Sequence, residues 1–421
     1  MTGTLMALGV AGVLFLALRR LPRDPGIALV ALLWVAASAA QAAATTSNFF
    51  MTQGAPVSLP RVLLSPMTTG WMLIGLCIAV GGQAAIASAV VVRAICIQAG
   101  WILVFSGLSV VLFAVLGLER LEVPSPLALL LPSSLPIVYQ QLTMKFFQMD
   151  SFMGGRVLRL TLFFPWATTL SLASAAALLI ALRERDVFWR RTALAGGLLG
   201  TVLSQGRSAM VCVAAALLLF ALLRLSPRAR FGLVVVVALA LNLAVVLGFD
   251  PVAVAEDFYR AFTEARSGSS AARYIVYELT WRRVLDAPWL GHGWFSGPAA
   301  RWLPTMPLGS HSTFYGVLYI GGILTFAVLC LAFATTVLSV AMRLQDRRED
   351  AIVALPVLLV IGVVANGETF QNMVPSLLLL FVWLGSALRP AATAPGATFA
   401  QPAGGKGGAP LTSGAAARPA G

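Results

Sequence analysis

Residues 26–45 read GIALVALLWVAASAAQAAAT, without one charged side chain, and comparable apolar stretches recur along the chain. About 20 such residues in a row are what a helix needs to cross the hydrocarbon of a bilayer. The spans read at 4–18, 26–45, 68–90, 95–117, 161–182, 192–206, 208–223, 231–249, 313–341, 351–366 and 376–388. Several are short for an untilted crossing, which leaves room for a re-entrant hairpin. Of the 421 residues 59% are apolar and 11% charged, against about 45–50% and about 25% in an ordinary globular chain. Too few charges remain to coat a surface facing water. That excludes a soluble enzyme, a disulfide scaffold and a disordered protein. The fold class expected is an all-α integral membrane protein of about 11 transmembrane helices, with 10–12 compatible.

The net charge of +13 would suit nucleic acid, but its placement points elsewhere. Alternate loops collect Arg19, Arg20, Arg23, Arg93, Arg183, Arg185, Arg190, Arg191, Arg224, Arg228, Arg230, Arg343, Arg347, Arg348, Arg389, Lys406 and Arg418. With 17 basic against 6 acidic residues there, and 12 against 10 on the other side, the first side is cytoplasmic by the positive-inside rule. Eleven spans then leave the N-terminus outside and the C-terminus inside. Met1–Thr4 lacks a basic segment and no cleavage site follows, so the first span reads as a retained helix. Residues 1–390 form the membrane domain, and the Ala/Gly/Pro-rich tail 391–421 reads as disordered and cytoplasmic. No internal repeat is visible, so the signature of many secondary transporters is missing.

Cys77, Cys96, Cys212 and Cys330 all lie in apolar runs without metal or redox spacing, and read as small hydrophobes. No outer acidic cluster suits a divalent cation. Two outer loops, 119–160 and 250–312, are long enough to carry chemistry. In the second, Tyr274, Tyr277, Trp281 and Leu285 recur at helical spacing, as in an amphipathic helix lying at the membrane boundary. Gly291, Gly293 and Gly297 interrupt it, and a Pro-rich stretch leads to Ser310-His311-Ser312.

His311 opens an outer helix end, where Ser310 can cap and the helix dipole disfavours imidazolium. A neutral imidazole can take up a proton. An interfacial histidine bonded to water is the competing reading. His292, between two glycines, ranks lower. Arg207 divides the runs 192–206 and 208–223, so LSQGRSA is an outward hairpin tip in which Gly206 and the serines imply close approach. An arginine at the bilayer centre costs roughly 2.5–3.5 kcal/mol, which favours a functional reading over snorkelling. Arg156, Arg159 and Arg273 are each explicable as solvated interfacial charges. Together, outer arginines and a neutral histidine suit the phosphate oxygens of a lipid-linked diphosphate.

Four segments resemble the O-antigen ligase and polymerase superfamily. LSQGRSAMVCVAAALLLFALLR is similar to its "SR" hairpin, and RVLRLTLFFPWATTLSLA to its R-L-T-G-x-F-x-N-P-N helix. SSAARYIVYELTWRRVLDAPWLGHGW resembles its periplasmic R…W…P-x-x-G-x-G segment, and SHSTFYGVLYIGGILTF its histidine motif. They cover about 155–330, in the family's order. Leu162, Trp166 and Ala167 depart from the second motif, and Thr325 stands where the ligase form has glycine. The resemblance implies a C-type glycosyltransferase-like fold in the bacterial inner membrane, with its site facing the periplasm and no metal or other cofactor. The donor implied is an undecaprenyl-diphosphate-linked glycan. The acceptor is a growing glycan in a polymerase, with a possible chain-length regulator as partner, or lipid A-core in a ligase. That choice stays open.

Carried over, His311 is the catalytic residue, and Arg207, Arg273 and Arg159 bind diphosphate. Glu368, in ANGETF, can orient the histidine or an acceptor sugar, or can simply cap a loop. Diphosphate leaves without an acid to protonate it, unlike the leaving group of a glycosidase. What remains is charge stabilisation and proton removal in a single inverting displacement. A transporter or flippase of lipid-linked oligosaccharide is the alternative from another class.

Overall fold

The computed structural model describes residues 12–13, 15–16, 22–51, 58–83, 85–124, 143–152, 155–264, 267–295, 306–346 and 349–390. The span expected at 4–18 falls almost wholly outside these residues, as do the tail from 391 and the loop portions 125–142 and 296–305. Helix α1 is Pro25–Met51; a short helical turn, Leu59–Leu63, leads to α2, Pro66–Gly81, and then α3, Ser88–Leu116. Strands β1 (Arg120–Pro124), β2 (Thr143–Phe152) and β3 (Gly155–Leu162) follow. Next come α4 (Ala167–Ile180), α5 (Val187–Leu203), α6 (Arg207–Arg224), α7 (Pro227–Val246), α8 (Pro251–Glu264) and α9 (Ser267–Val284). The chain closes with α10 (Thr313–Gln345), α11 (Glu349–Gly367), two 3-10 turns and α12 (Leu378–Ala387).

Among the described residues, six helices, α1, α3, α6, α7, α10 and α11, are long and apolar enough to cross a membrane, and α2, α4 and α12 are shorter apolar helices. This is a multi-pass membrane protein.

The expectation of an all-α chain is wrong in the first outer loop. β1, β2 and β3 form an antiparallel sheet in that order. Residues 155–160, expected to end that loop, and 161–162, expected to open the fifth span, are the sheet's last strand. Alternation explains the strand, because Leu160 and Leu162 point one way and are buried with Phe147 of β2. Phe147 and its neighbour Phe146 meet Phe113 and Phe105 of α3, at ring separations of 6.4 and 5.7 Å. Leu162 turns out of the strand at φ 52°, and α4 begins only after Pro165. The span expected from 161 therefore starts at Ala167.

Buried polar groups tie the bundle together where lipid supplies no hydrogen bonds. Trp34 Nε1 donates to Thr336 Oγ1 at 3.0 Å, joining α1 to α10. Trp71 Nε1 donates to Gln41 Oε1 at 3.0 Å, joining α2 to α1. Trp34, Trp71 and Phe370 stack in sequence with centroids 5.8 and 6.5 Å apart, and Phe381 meets Phe370 edge-on at 5.9 Å. Phe370 thus anchors the segment after α11 in the core.

Charges sort to two ends. At one end Arg183 pairs with Asp350 at 2.8 Å and with Glu349, Arg93 pairs with Glu184 at 2.9 Å, and Arg224 lies 3.6 Å from Glu349. At the other, Arg273 pairs with Glu368 at 2.7 Å. Antiparallel α6 and α11 connect the two ends, since Gly367 lies near Ser208 and Glu349 near Arg224.

α9 packs along one stripe of its surface. Its buried stripe is Ala272, Val276, Thr280 and Val284, while Tyr274, Trp281 and Leu285 are exposed. The small residues make the contact, while Tyr274 and Trp281 turn outward. The more strongly amphipathic helix is α8, with Val254, Phe258 and Tyr259 on one side and Glu256, Asp257, Arg260 and Glu264 on the other.

The PWLGHG segment after α9 docks into a break in α10. Gly322 there has φ 66° and ψ −171°, and the opened backbone pairs with the loop. Ile323 N donates to Pro288 O at 2.8 Å, His292 N to Tyr319 O at 2.7 Å, and Gly293 N to Ile320 O at 2.8 Å. A Cβ on Gly322 would lie 2.2 Å from Trp289 O. Gly322→Ala should therefore cost more than about 1 kcal/mol, from strain at positive φ and from the clash together. A fall in the thermal midpoint of purified protein measures it, and an unchanged midpoint contradicts this role.

Candidate functional site

The hairpin tip was legible as such: α5 ends at Leu203 and α6 starts at Arg207. Gln205 bends it at φ 55°. A Cβ on Gly206 would lie 2.2 Å from Ser171 Oγ, so α4 makes the close approach that the glycine permits. Two bonds fix the tip to β3: Gln205 Nε2 donates to Leu158 O at 2.8 Å, and Arg159 Nε to Ser204 O at 3.3 Å. Arg159 also pairs with Asp150 of β2 at 2.7 Å, a diagonal cross-strand contact. Arg159 thus reaches the tip from a sheet, not a helix.

Arg207, the first residue of α6, donates to Thr263 O at 3.4 Å and to Ser270 Oγ at 3.2 Å. These partners close the α8–α9 corner over the tip. Arg273 extends from α9 to Glu368, whose carboxylate is only 15% exposed. Arg159, Arg207, Arg273 and Glu368 all line one cavity of about 500 Å³, with Tyr277 of α9, Phe258 of α8 and Gly206–Ala209 at the start of α6.

His311 stands beside that cavity rather than in its lining. Its Nδ1 lies 3.9 Å from Glu368 Oε2, within ion-pair range but beyond a hydrogen bond. The imidazole is 28% exposed. Ser310 does not cap α10, contrary to expectation: the N-cap is Ser312, which accepts from Tyr315 N. The Ser310 hydroxyl is buried without a hydrogen bond among the described residues. His311 itself is left-handed at φ 61°, and this turn is why the cap falls one residue after it.

Burial pushes the Glu368 carboxyl up, but His311 and the Arg273 guanidinium outweigh it and hold it below the ordinary carboxylate range. It is therefore charged at neutral pH. Thr313 Oγ1 donates to Glu368 O at 2.7 Å and accepts from Phe370 N at 2.9 Å. The carboxylate segment is thereby fastened both to the histidine's helix and to the aromatic core.

Two sequence candidates fall elsewhere. His292 Nε2 meets Arg283 O at 2.8 Å and its ring stacks on Tyr319 at 4.6 Å, a structural placement. Arg156 pairs with Glu119 at 2.9 Å on the surface. Thr263, Ser270, Asp150, Thr313 and Thr369 escaped the sequence reading. Their bonds to site residues are mostly long-range, and threonine and serine carry no distinctive spacing. Among the described residues, no three His, Cys, Asp or Glu side chains converge as a metal site.

Three arginines that line one cavity with the N-terminus of α6 can hold an oxyanion, since a helix N-terminus and arginine both present N–H donors to it. An imidazole facing a buried carboxylate can take a proton and be stabilised as imidazolium. A multi-pass membrane protein with an anion-receptive cavity and a carboxylate-backed histidine is what the fold and site define. Residues 192–330 are similar to a family model described as O-antigen ligase. The match includes the hairpin, α9 and His311 but stops short of β3. A search of curated proteins finds no match to this chain.

Proposed function

We propose that this protein is an inverting, metal-independent glycosyltransferase of the bacterial inner membrane. It takes an undecaprenyl-diphosphate-linked glycan at the periplasmic face, on an about 11-span, C-type glycosyltransferase-like membrane domain at 1–390 with a cytoplasmic tail at 391–421. The observation that carries this reading is the convergence of Arg159, Arg207, Arg273 and Glu368 on one cavity, with His311 against Glu368.

Arg207 and the α6 N-terminus bind the diphosphate, with Arg273 and Arg159 adding charge around it. An acceptor hydroxyl oxygen attacks the anomeric carbon as the bond from that carbon to the phosphate oxygen breaks. The diphosphate leaves with the electron pair, and its charge meets guanidinium groups already in place. The hydroxyl proton passes to His311 Nε2, while Nδ1 faces Glu368. Glu368 stabilises the imidazolium that forms, without itself taking the proton. The carboxylates of Asp150 and Glu368 hold Arg159 and Arg273 in position before substrate arrives.

Purified protein given a lipid-linked oligosaccharide tests this directly. Lengthened lipid-linked glycan identifies a polymerase, and glycan moved to lipid A-core identifies a ligase. Intact substrate recovered with both acceptors present contradicts the proposal.

A further inference from the structure

His311 holds a backbone conformation that non-glycine residues seldom adopt, with φ 61°. Such a residue persists where its surroundings fix it. Here both of its peptide groups are gripped. Its N–H donates to Thr369 Oγ1 at 3.2 Å, and its carbonyl accepts from the Tyr277 hydroxyl at 2.5 Å. Each grip comes from a neighbour of a cavity residue: Thr369 follows Glu368, and Tyr277 lies one turn after Arg273 on α9. The Tyr277 ring is in turn stacked on Tyr315, in the first turn of α10, with centroids 5.0 Å apart and planes 14° from parallel.

We propose that Tyr277 is a positioning residue of the transfer reaction, holding the His311 backbone so that the imidazole faces both Glu368 and the acceptor. This rests on His311 being the base. Burial pushes the Tyr277 phenol up to about 12, so it remains a donor at any working pH. Tyr277 also lines the cavity. One side chain therefore borders the donor's space and grips the backbone of the residue that takes the acceptor's proton. Its hydroxyl is directed away from chemistry, onto a carbonyl, so its effect passes through His311.

Tyr277→Phe keeps the ring stack and removes only the hydroxyl. Losing one hydrogen bond that fixes a catalytic geometry should lower kcat about tenfold. The donor KM should stay within about twofold, because no diphosphate contact is lost. Thr369→Val, which releases the other peptide group, should give the same signature and serves if the first variant misfolds.

The decisive measurement is the double variant. On a His311→Ala background, Tyr277→Phe should change the residual rate less than about twofold, since the group it positions is gone. Wild-type turnover by Tyr277→Phe and Thr369→Val overturns the proposal, as does a full tenfold loss multiplied onto His311→Ala. A raised donor KM in Tyr277→Phe also overturns it, by making Tyr277 a substrate contact. A fully active His311→Ala has a different meaning: the base itself is then misassigned, and the positioning role falls with it.

Discussion

Turnover in His311→Ala should fall by about 10²–10⁴-fold, the usual contribution of a general base. Lipid-linked donor should still bind, because the cavity lining loses nothing: Arg159, Arg207, Arg273 and Glu368 remain. The separation is what makes the variant informative. A residue that acts only as the proton leaves the acceptor lowers kcat and spares donor affinity. Glu368 would lose one of its two basic neighbours but keep its 2.7 Å pair with Arg273, so the fold around it should hold. Donor binding measured on protein of wild-type thermal stability checks the first half, and the rate of glycan transfer the second. Near-normal transfer by this variant would place the base elsewhere.

Arg207→Ala should damage binding and rate together. The guanidinium faces the diphosphate before and during bond cleavage, and a charge-assisted hydrogen bond is worth about 1.5–3 kcal/mol. A loss of roughly 10–10²-fold in kcat/KM follows, with donor KM raised. Arg207→Lys should recover only part of it, because an ammonium keeps the charge and loses the planar fork. Arg207 is the better arginine to test. Removing Arg159 or Arg273 also strips a carboxylate of its ion-pair partner, Asp150 or Glu368, and so mixes stability with catalysis. Steady-state kinetics of Arg207→Ala and Arg207→Lys decide the matter. Equal activity in the two would reduce Arg207 to a structural contact between the hairpin tip and the α8–α9 corner.

Much of this was written in local pattern. The spans follow from uninterrupted apolar runs, and the hairpin follows from one arginine and one glycine between two of them. The prominence of His311 and Arg207 also came from the sequence, through rarity and position. What stayed hidden is non-local or conformational. β3 alternates in residue type as a strand should, Leu-Arg-Leu-Thr-Leu over 158–162, with Leu160 and Leu162 buried. Its continuity with the apolar run after it, together with its likeness to a helical motif, concealed that period. The left-handed turn at His311 has no glycine to announce it, so the sequence points to Ser310 as the cap where the structure uses Ser312. Glu368 comes within reach of His311 only because α10 and α11 run back to the same end. The grip of Tyr277 depends on how α9 seats its small residues. The aromatics of that helix read in sequence as a membrane face, yet the one that matters for the site is the half-buried Tyr277, not the exposed Tyr274 or Trp281.

The central claim is that this cavity breaks a sugar–diphosphate bond rather than carrying an intact lipid-linked glycan across the bilayer. Counting polyprenyl diphosphate released against glycan transferred, with purified protein in vesicles, separates the two most directly. One diphosphate per transferred glycan, with inverted anomeric configuration and near-complete loss in His311→Ala, is the result expected. Intact lipid-linked glycan appearing on the opposite leaflet, with no diphosphate released and no dependence on His311, would contradict the account and mark the protein as a transporter.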